Sequence, residues 1–452
     1  ADNIDALNPG YEGLLGSGRV NSDTAVNGTL PPPRIEGLTR VGRTRLFVEL
    51  ANVFQKGTIE AENFQTGQLL NWELREDGAD GEFDTPDDTI VPLTLVTDYM
   101  IGTNSLEFTY NSLPEGNYRF TGVGGPPFSG LSDPFWTLLD GNGDGTGGDD
   151  YVFEFEAVAL NVTTTPDGSP DTFLVTRNGD QVEVRVNAVL AGSVSVNGAP
   201  VITLTGSTDT DRFDVDSLNW DFGGDVVVNA QAAGVDEALL DDSPGLDRFK
   251  AWATVATFQM EDAYKITASN VRWLHAYAEN GGADIAELYG EAGAVDRFKS
   301  NETANQATLQ STNDYARAKS FRYVYAYANA GDADVAQLYG KAGAADNFIS
   351  KETSSPDWAT LYSTNDYSRA KSFAQVQAYA NAGDNDVATL YDSAADDFFE
   401  GDDQLGWLYG GGFDTKAWYF AVGQAIAEDR DDYDTQTISG TPLWTALGDW
   451  EN

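Results

Sequence analysis

The chain has 452 residues, 26 of them Lys or Arg and 72 Asp or Glu, and its formal net charge of −46 repels nucleic acid and anionic membranes. It has no cysteine and one histidine, His275, which excludes disulfides, thiolate nucleophiles and Cys-ligated metals and leaves any histidine-based triad or zinc site a single imidazole. With 41% hydrophobic and 12% aromatic residues it is too apolar for a disordered acidic tail and too long for one core.

No apolar run reaches the roughly 18–20 residues of a membrane helix, so no membrane insertion is expected. The chain opens Ala1-Asp2-Asn3, without Met or signal peptide, which suits a processed secreted chain or a segment of a longer one. Residues 1–33 alternate little and end in Pro31-Pro32-Pro33; they read as an extended arm in which 19–27 is long enough to pair with a neighbour's sheet edge. Residues 34–157 hold strand-like runs at 45–53, 69–74, 90–97, 105–110, 116–122 and 151–157, and turn signals at this spacing predict a β-sandwich. Residues 158–231 continue as short strands, clearest in Gln181-Val182-Glu183-Val184-Arg185-Val186, where the valines share one face, and read as first solenoid coils.

Residues 232–405 contain four copies of one skeleton. Gly234, Gly282, Gly331 and Gly383 open them, Leu240, Leu288, Leu338 and Leu390 follow, and Phe249, Phe298, Phe348 and Phe398 close them at spacings of 49, 50 and 50. A second block, 311–321, recurs at 363–373, and the extra length of the later copy falls at Ser354-Ser355-Pro356. Within a copy the period is two, as in Val387-Ala388-Thr389-Leu390-Tyr391. That period predicts a parallel β-helix, about two coils of about 4.8 Å per repeat, in preference to the α-solenoid that helix-tolerant Ala and Arg in 315–327 would permit. Residues 406–452, with Trp407, Trp418, Trp444 and Trp450, break the repeat and read as an aromatic-rich C-terminal cap or a subunit contact.

Two loops are candidate calcium sites. Asp140-Gly141-Asn142-Gly143-Asp144-Gly145, followed by Asp149 and Asp150, sets oxygen ligands at every second residue and matches the opening of an EF-hand loop. Its twelfth position is Tyr151 instead of the bidentate Glu, so a calcium loop on a β-sandwich and a solvated Asp/Gly turn both remain open. Asp77, Asp80, Asp84, Asp87 and Asp88 gather five carboxylates within twelve residues, which would repel one another without a cation. Turns such as Asp384-Asn385-Asp386 and Asp396-Asp397 read as ordinary Asp/Asn turn chemistry.

Arg317 and Lys319, with Arg369 and Lys371, are expected to stack along one side of the solenoid. They would either bridge to Asp314 and Asp366 or, in a lyase, neutralise an acidic sugar. His275 is replaced by Tyr325 and Gln377 in later copies, an interchange that predicts an outward position and no catalytic role.

The skeleton Ala-Tyr-Ala-Asn-Ala-Gly-Asp-x-Asp-Val-Ala-x-Leu-Tyr at 326–339 and 378–391, with the Tyr-x-Arg-Ala-Lys-Ser-Phe block, resembles repeat-rich secreted or cell-surface proteins of planctomycete-type bacteria. In these an immunoglobulin-like module precedes a β-solenoid repeat array. The resemblance implies extracellular location and β architecture; it supplies no catalytic residue. The expected fold is therefore all-β: an arm (1–33), an immunoglobulin-like β-sandwich (34–157), first coils (158–231), a β-solenoid (232–405) and a cap (406–452). The expected function is a non-enzymatic extracellular structural protein, a calcium-stabilised, self-assembling subunit of a surface layer or filament, forming homo-oligomers or polymers. The alternatives are an adhesin recognising surface glycans through exposed Tyr and Trp, and a polysaccharide lyase on a β-helix.

Overall fold

The computed structural model describes residues 31–450 apart from 42–43, 97, 101, 126–129, 199, 219–221, 232–233, 261–263, 330–331, 352–356, 382–384, 394, 411–412, 428–433, 440–442 and 449. The predicted arm through residue 30, with its 19–27 pairing stretch, Gly331, Gly383 and the 354–356 insertion lie outside the described residues. The chain is all-β and divides into two compact units, residues 1–40 with 44–156, and 41–43 with 157–452.

In the first unit eight strands form two four-stranded sheets: β1 (Ile35–Val41), β2 (Arg45–Leu50), β3 (Trp72–Glu76), β4 (Thr89–Val91), β5 (Thr94–Leu95), β6 (Ser105–Thr109), β7 (Gly116–Gly122) and β8 (Tyr151–Ala157). Their orders are β1-β2-β6-β5 and β4-β3-β7-β8. Alternation decides the faces: Leu46, Val48 and Leu50 are buried while Arg45, Phe47 and Glu49 between them are not. Trp72 on one sheet lies 5.0 Å from Phe108 on the other, and Phe120 packs on both rings. Burying these aromatic faces is the main source of this unit's stability.

The second unit is a two-sided β-solenoid. Successive coils place strands in a 15-stranded and a 14-stranded sheet that share one core. The Ser350 hydroxyl of one sheet donates to Thr415 Oγ1 of the other at 3.1 Å in that interior. The predicted period of two holds: Val335–Tyr339, Tyr323–Tyr327 and Val387–Tyr391 each alternate half-buried and buried positions. Rungs pair in parallel, and the phenylalanine of one rung is registered with an alanine of the next, Phe249 with Ala286, Phe298 with Ala336, Phe348 with Ala388. Large against small fills the interior without voids.

The ladder is not purely parallel, and here the expectation of about two coils per repeat is corrected. Each repeat begins with an antiparallel three-strand meander, such as Arg297–Asn301, Gln306–Gln310 and Tyr315–Lys319. One strand on the opposite sheet and one back on the first sheet complete it, Tyr323–Tyr327 and Val335–Tyr339 in this case. From one meander to the next the chain crosses between the sheets three times, an odd number, so each meander falls on the sheet opposite to the last. The meanders starting at Asp247 and Asn347 lie in the 14-stranded sheet, those starting at Arg297 and Asp397 in the 15-stranded one. Over two repeats each sheet gains five strands. Were every meander on one side, that sheet would outgrow its partner and expose its inner face. Aromatic contacts repeat with this geometry: Phe249 with Phe321 at 6.2 Å, Phe298 with Phe373 at 6.0 Å and Phe348 with Phe420 at 5.9 Å.

Three sequence readings shift by this topology. The fourth repeat's phenylalanine is Phe399, 1% exposed, whereas Phe398 points outward at 43% and stacks on Tyr409. Residues 406–418 do not break the repeat: Leu405–Gly410 and Phe413–Trp418 are its own second and third meander strands. Trp444 instead turns inward against Phe399, where a Cβ at Gly406 or Gly423 would collide with its ring. Finally, Arg317 and Lys319 lie on the opposite sheet from Arg369 and Lys371, so the four cations do not share one side.

The register has a direct test. Phe399→Ala should lower the unfolding free energy by about 3–5 kcal/mol, and Phe398→Ala should stay within about 1 kcal/mol of the wild type; the reverse ranking in urea unfolding would place the wrong phenylalanine inside.

Candidate functional site

The repeat concentrates its chemistry at the corners, where the chain enters a strand. An aspartate stands there in rung after rung: Asp211, Asp236, Asp247, Asp284, Asp296, Asp334, Asp346, Asp386, Asp397 and Asp434, all buried. In every second one the N–H donates to the carboxylate of the aspartate one rung further on: Asp296 to Asp334 Oδ1 at 2.6 Å, Asp211 to Asp236 Oδ1 at 2.7 Å, Asp247 to Asp284 Oδ1 and Asp346 to Asp386 Oδ1 at 2.8 Å, and Asp397 to Asp434 Oδ1 at 3.1 Å. Its carbonyl accepts the N–H of the next rung's first strand residue, as Asp296 O does from Val335 and Asp346 O from Val387. The glycine six residues earlier is required by the same packing, because a Cβ at Gly290 or Gly340 would strike the carboxylate of Asp296 or Asp346.

Desolvation dominates the electrostatics. Burial pushes Asp247 up to about 7 even though the Ser243 N–H bonds its carboxylate, and Asp284 adds repulsion. Burial likewise pushes Asp236 and Asp296 up to about 6, Asp334 adding to the rise at Asp296. Asp296 Oδ1 and Asp334 Oδ2 are buried without a hydrogen-bond partner among the described residues.

In the first and fourth copies the corner glycine is replaced by aspartate, Asp242 and Asp392, and three buried carboxylates converge: Asp242, Asp247 and Asp284, and Asp392, Asp397 and Asp434, each with ligand oxygens within 4.8 Å of one another. Sequence reasoning passed over these, treating the repeat aspartates as turn chemistry. The signal was visible as Asp-Ser at 242–243 and 392–393 against Gly290-Glu291 and Gly340-Lys341.

The predicted calcium loops lie in the first unit. Asp140, Asp144 and Asp149 converge with oxygens within 4.8 Å. Asp140 already accepts the N–H groups of Gly143, Asp144 and Gly145, Asn142 accepts from Asp144, and Asp150 turns away to accept from Gly124. The Asp77–Asp88 carboxylates are met by cations of the chain itself. Arg119 reaches Asp84 at 2.6 Å and Arg75 reaches Asp88 at 3.2 Å, Asp87 accepts from Ala79 and Asp80, Thr85 bonds Asp80, Asp87 and Asp88, and Asn117 bonds Asp77. The Arg119 guanidinium holds Asp84 below the usual carboxylate range, and the Thr85 hydroxyl does the same for Asp87. These contacts offset part of the repulsion expected within the loop.

A cavity of about 550 Å³ opens on the 15-stranded sheet between the strands Trp273–Tyr277 and Tyr315–Lys319 and the 311–314 turn. His275 faces outward as predicted, yet it is only 8% exposed, lodged beside Tyr315 at 5.5 Å between ring centroids. Burial lowers its basicity, Glu237 opposes that, and Arg317 reinforces it, so the imidazole is neutral at physiological pH. Arg317 and Lys319 sit over the Tyr277 ring and Lys319 also bonds Glu279; Arg369 sits over Trp358 and Lys371 over Tyr327. Asp366 is paired with Lys341 rather than with Arg369 or Lys371.

No family model and no curated protein matches the chain. Among solved structures it aligns with the N-terminal part of the bacterial S-layer protein SbsC at 13% identity, TM-score 0.18, over 36% of this chain and 43% of that one. It aligns with the S-layer protein rSbsC(31-844) at 10%, TM-score 0.18, over 75% and 54%, and with pectate lyase Pel3 from Pectobacterium carotovorum at 7%, TM-score 0.13, over 89% and 86%. The chain thus spans about half the length of the S-layer chains it matches. TM-scores of this size carry no inference about shape or role. No helix among the described residues is long and apolar enough to cross a membrane.

The corner aspartates set a pH dependence. The folded pKa values of Asp236, Asp247 and Asp296 lie above the ordinary 3.8, so the stability associated with their neutral form is complete below that value and is lost as pH rises through about 6 to 7. The melting temperature should therefore fall from pH about 5 to pH about 8, each buried carboxyl contributing on the order of 1 kcal/mol. A melting temperature that climbs across that window would contradict the assignment.

Proposed function

We propose that this chain is a structural protein of the cell surface, one whose acidic β-solenoid associates end to end and is stiffened by calcium. The observation that carries the proposal is the pair of solenoid ends. The 15-stranded sheet terminates in Val189–Ser195 at one end and Thr435–Ile438 at the other, and the 14-stranded sheet in Ala159–Thr163 and Trp444–Leu447. Val189 and Leu190 at one end and Ile438, Leu443 and Leu447 at the other are exposed. Terminal strands with apolar side chains are templates for pairing with another chain, and head-to-tail pairing without closure produces filaments.

Calcium fits this reading in two ways. Asp140, Asp144 and Asp149 offer converging oxygens at one loop, and a net charge of −46 opposes contact between copies until it is neutralised. The strand orders β1-β2-β6-β5 and β4-β3-β7-β8 support an immunoglobulin-like module, since they match A-B-E-D and C′-C-F-G of such a sandwich. The inward Trp444 and Trp450 support a terminal cap over the last rungs.

Light scattering and negative-stain microscopy test the assembly. Millimolar calcium should convert monomers into linear oligomers, and Leu190→Glu should prevent it while leaving melting unchanged; a wild type that stays monomeric with calcium would overturn the proposal. For the loop, EDTA should lower the melting temperature of the wild type and have no further effect on Asp140→Asn/Asp144→Asn; equal curves with and without EDTA would remove calcium from it.

A further inference from the structure

We propose that the groove beside Trp273 is a binding site for a neutral saccharide. It goes beyond the structural role and does not depend on assembly. Three features build the site. The Trp273 indole is 50% exposed and meets Tyr315 at 6.4 Å and 53°, so the two rings flank the groove instead of stacking on each other. The turn Ser311-Thr312-Asn313-Asp314 supplies hydroxyl and amide groups along the rim, and it is held in place: Arg272 donates to Asn313 Oδ1 at 2.8 Å, Tyr315 N–H to Arg272 O at 3.0 Å, and Ser311 N–H to Asp314 O at 3.0 Å. At the floor, His275 is more than nine-tenths buried and neither ring nitrogen makes a hydrogen bond among the described residues. Its Nε2 lies 3.3 Å from Glu237 Oε1 but outside hydrogen-bonding geometry. Both nitrogens are closed off from the cavity, so the imidazole shapes the floor of the groove by packing beside Tyr315.

An aromatic wall facing a row of hydroxyl and amide groups suits a sugar ring, whose C–H face packs on the indole while its hydroxyls hydrogen-bond as both donors and acceptors. The charge selects among sugars. Arg272 and Asp314 line the cavity with opposite charges and Glu237 stands behind His275, on a chain of net charge −46, so the groove offers no net positive charge to hold a uronate or a sulfated glycan. The volume of about 550 Å³ lies within the usual range for a small-ligand site.

The repeat supplies an internal comparison. On the opposite sheet Tyr323, Tyr325 and Tyr367 stand where Trp273, His275 and Tyr315 do, at 6.0 and 5.5 Å, beside the second Ser-Thr-Asn-Asp turn. There the turn is drawn into the protein: Lys341 bonds Asp366 at 2.6 Å and the Ser363 hydroxyl donates to Glu302 at 3.1 Å. Copy 2 is thus a scaffold with its polar groups occupied, and one site per chain is expected.

The test is a printed glycan array spanning neutral, uronate-containing, sulfated and sialylated glycans, probed with the full chain, with hits titrated by tryptophan fluorescence. Neutral glycans should bind with one site per chain. Trp273→Ala should weaken binding roughly tenfold or more, while Tyr323→Ala should not; unchanged melting confirms that the variants fold. An array without hits, hits confined to acidic glycans, or binding retained in Trp273→Ala would each overturn the site. None of these outcomes bears on end-to-end assembly, which is read separately by light scattering.

Discussion

The hydrogen bond from the N–H of one corner aspartate to the carboxylate of the next is the contact on which the repeat is organised. A chain passing from one sheet to the other leaves a backbone donor at each corner that no strand can satisfy, and an unsatisfied buried donor costs about 1–3 kcal/mol. Asp334, Asp284 and Asp386 accept such donors directly, with oxygen to nitrogen distances of 2.6–2.8 Å. The solution brings a second problem, because the acceptors are buried carboxylates with few cations beside them. The upward-shifted pKa values of Asp284 and Asp334 are the signature of that conflict, and partial neutralisation by protons is one way out. Convergence of a third carboxylate, as at Asp242 and Asp392, sharpens it.

Much of this was readable in the sequence and some was not, for physical reasons. Strand alternation and the fifty-residue period are local, and both hold through 323–327, 335–339 and 387–391. The meanders were hidden, since antiparallel and parallel strands of this core carry the same alternating pattern. With them went the three crossings per repeat and the transfer of each repeat to the other sheet, which separates Arg317 from Arg369. At Phe398-Phe399 two identical residues stand side by side, and at period two a slip of one residue reverses the face. Only the pairing of Phe399 with Leu408 settles it.

The 77–88 loop shows what local composition leaves out. Arg75 and Arg119 reach Asp88 and Asp84 from neighbouring strands, across distances in sequence that no local motif reveals. The Trp273 groove has the same character. Its wall and rim are about forty residues apart and are joined by the Trp273 to Tyr315 register. Sequence reasoning did see that His275 occupies a variable outward position, and variation at that position is what distinguishes the groove from its counterpart at Tyr325.

The corner bond is tested most directly by replacing one acceptor in two ways and measuring unfolding free energy at pH about 8. Asp334→Asn keeps the oxygen that Asp296 N–H requires and discards the buried charge, so it is expected to be at least as stable as the wild type. Asp334→Ala leaves that donor unmet and is expected to lose about 1–3 kcal/mol. Equal losses in both variants, or none in the alanine variant, would contradict the carboxylate ladder as the contact that holds the rungs in register.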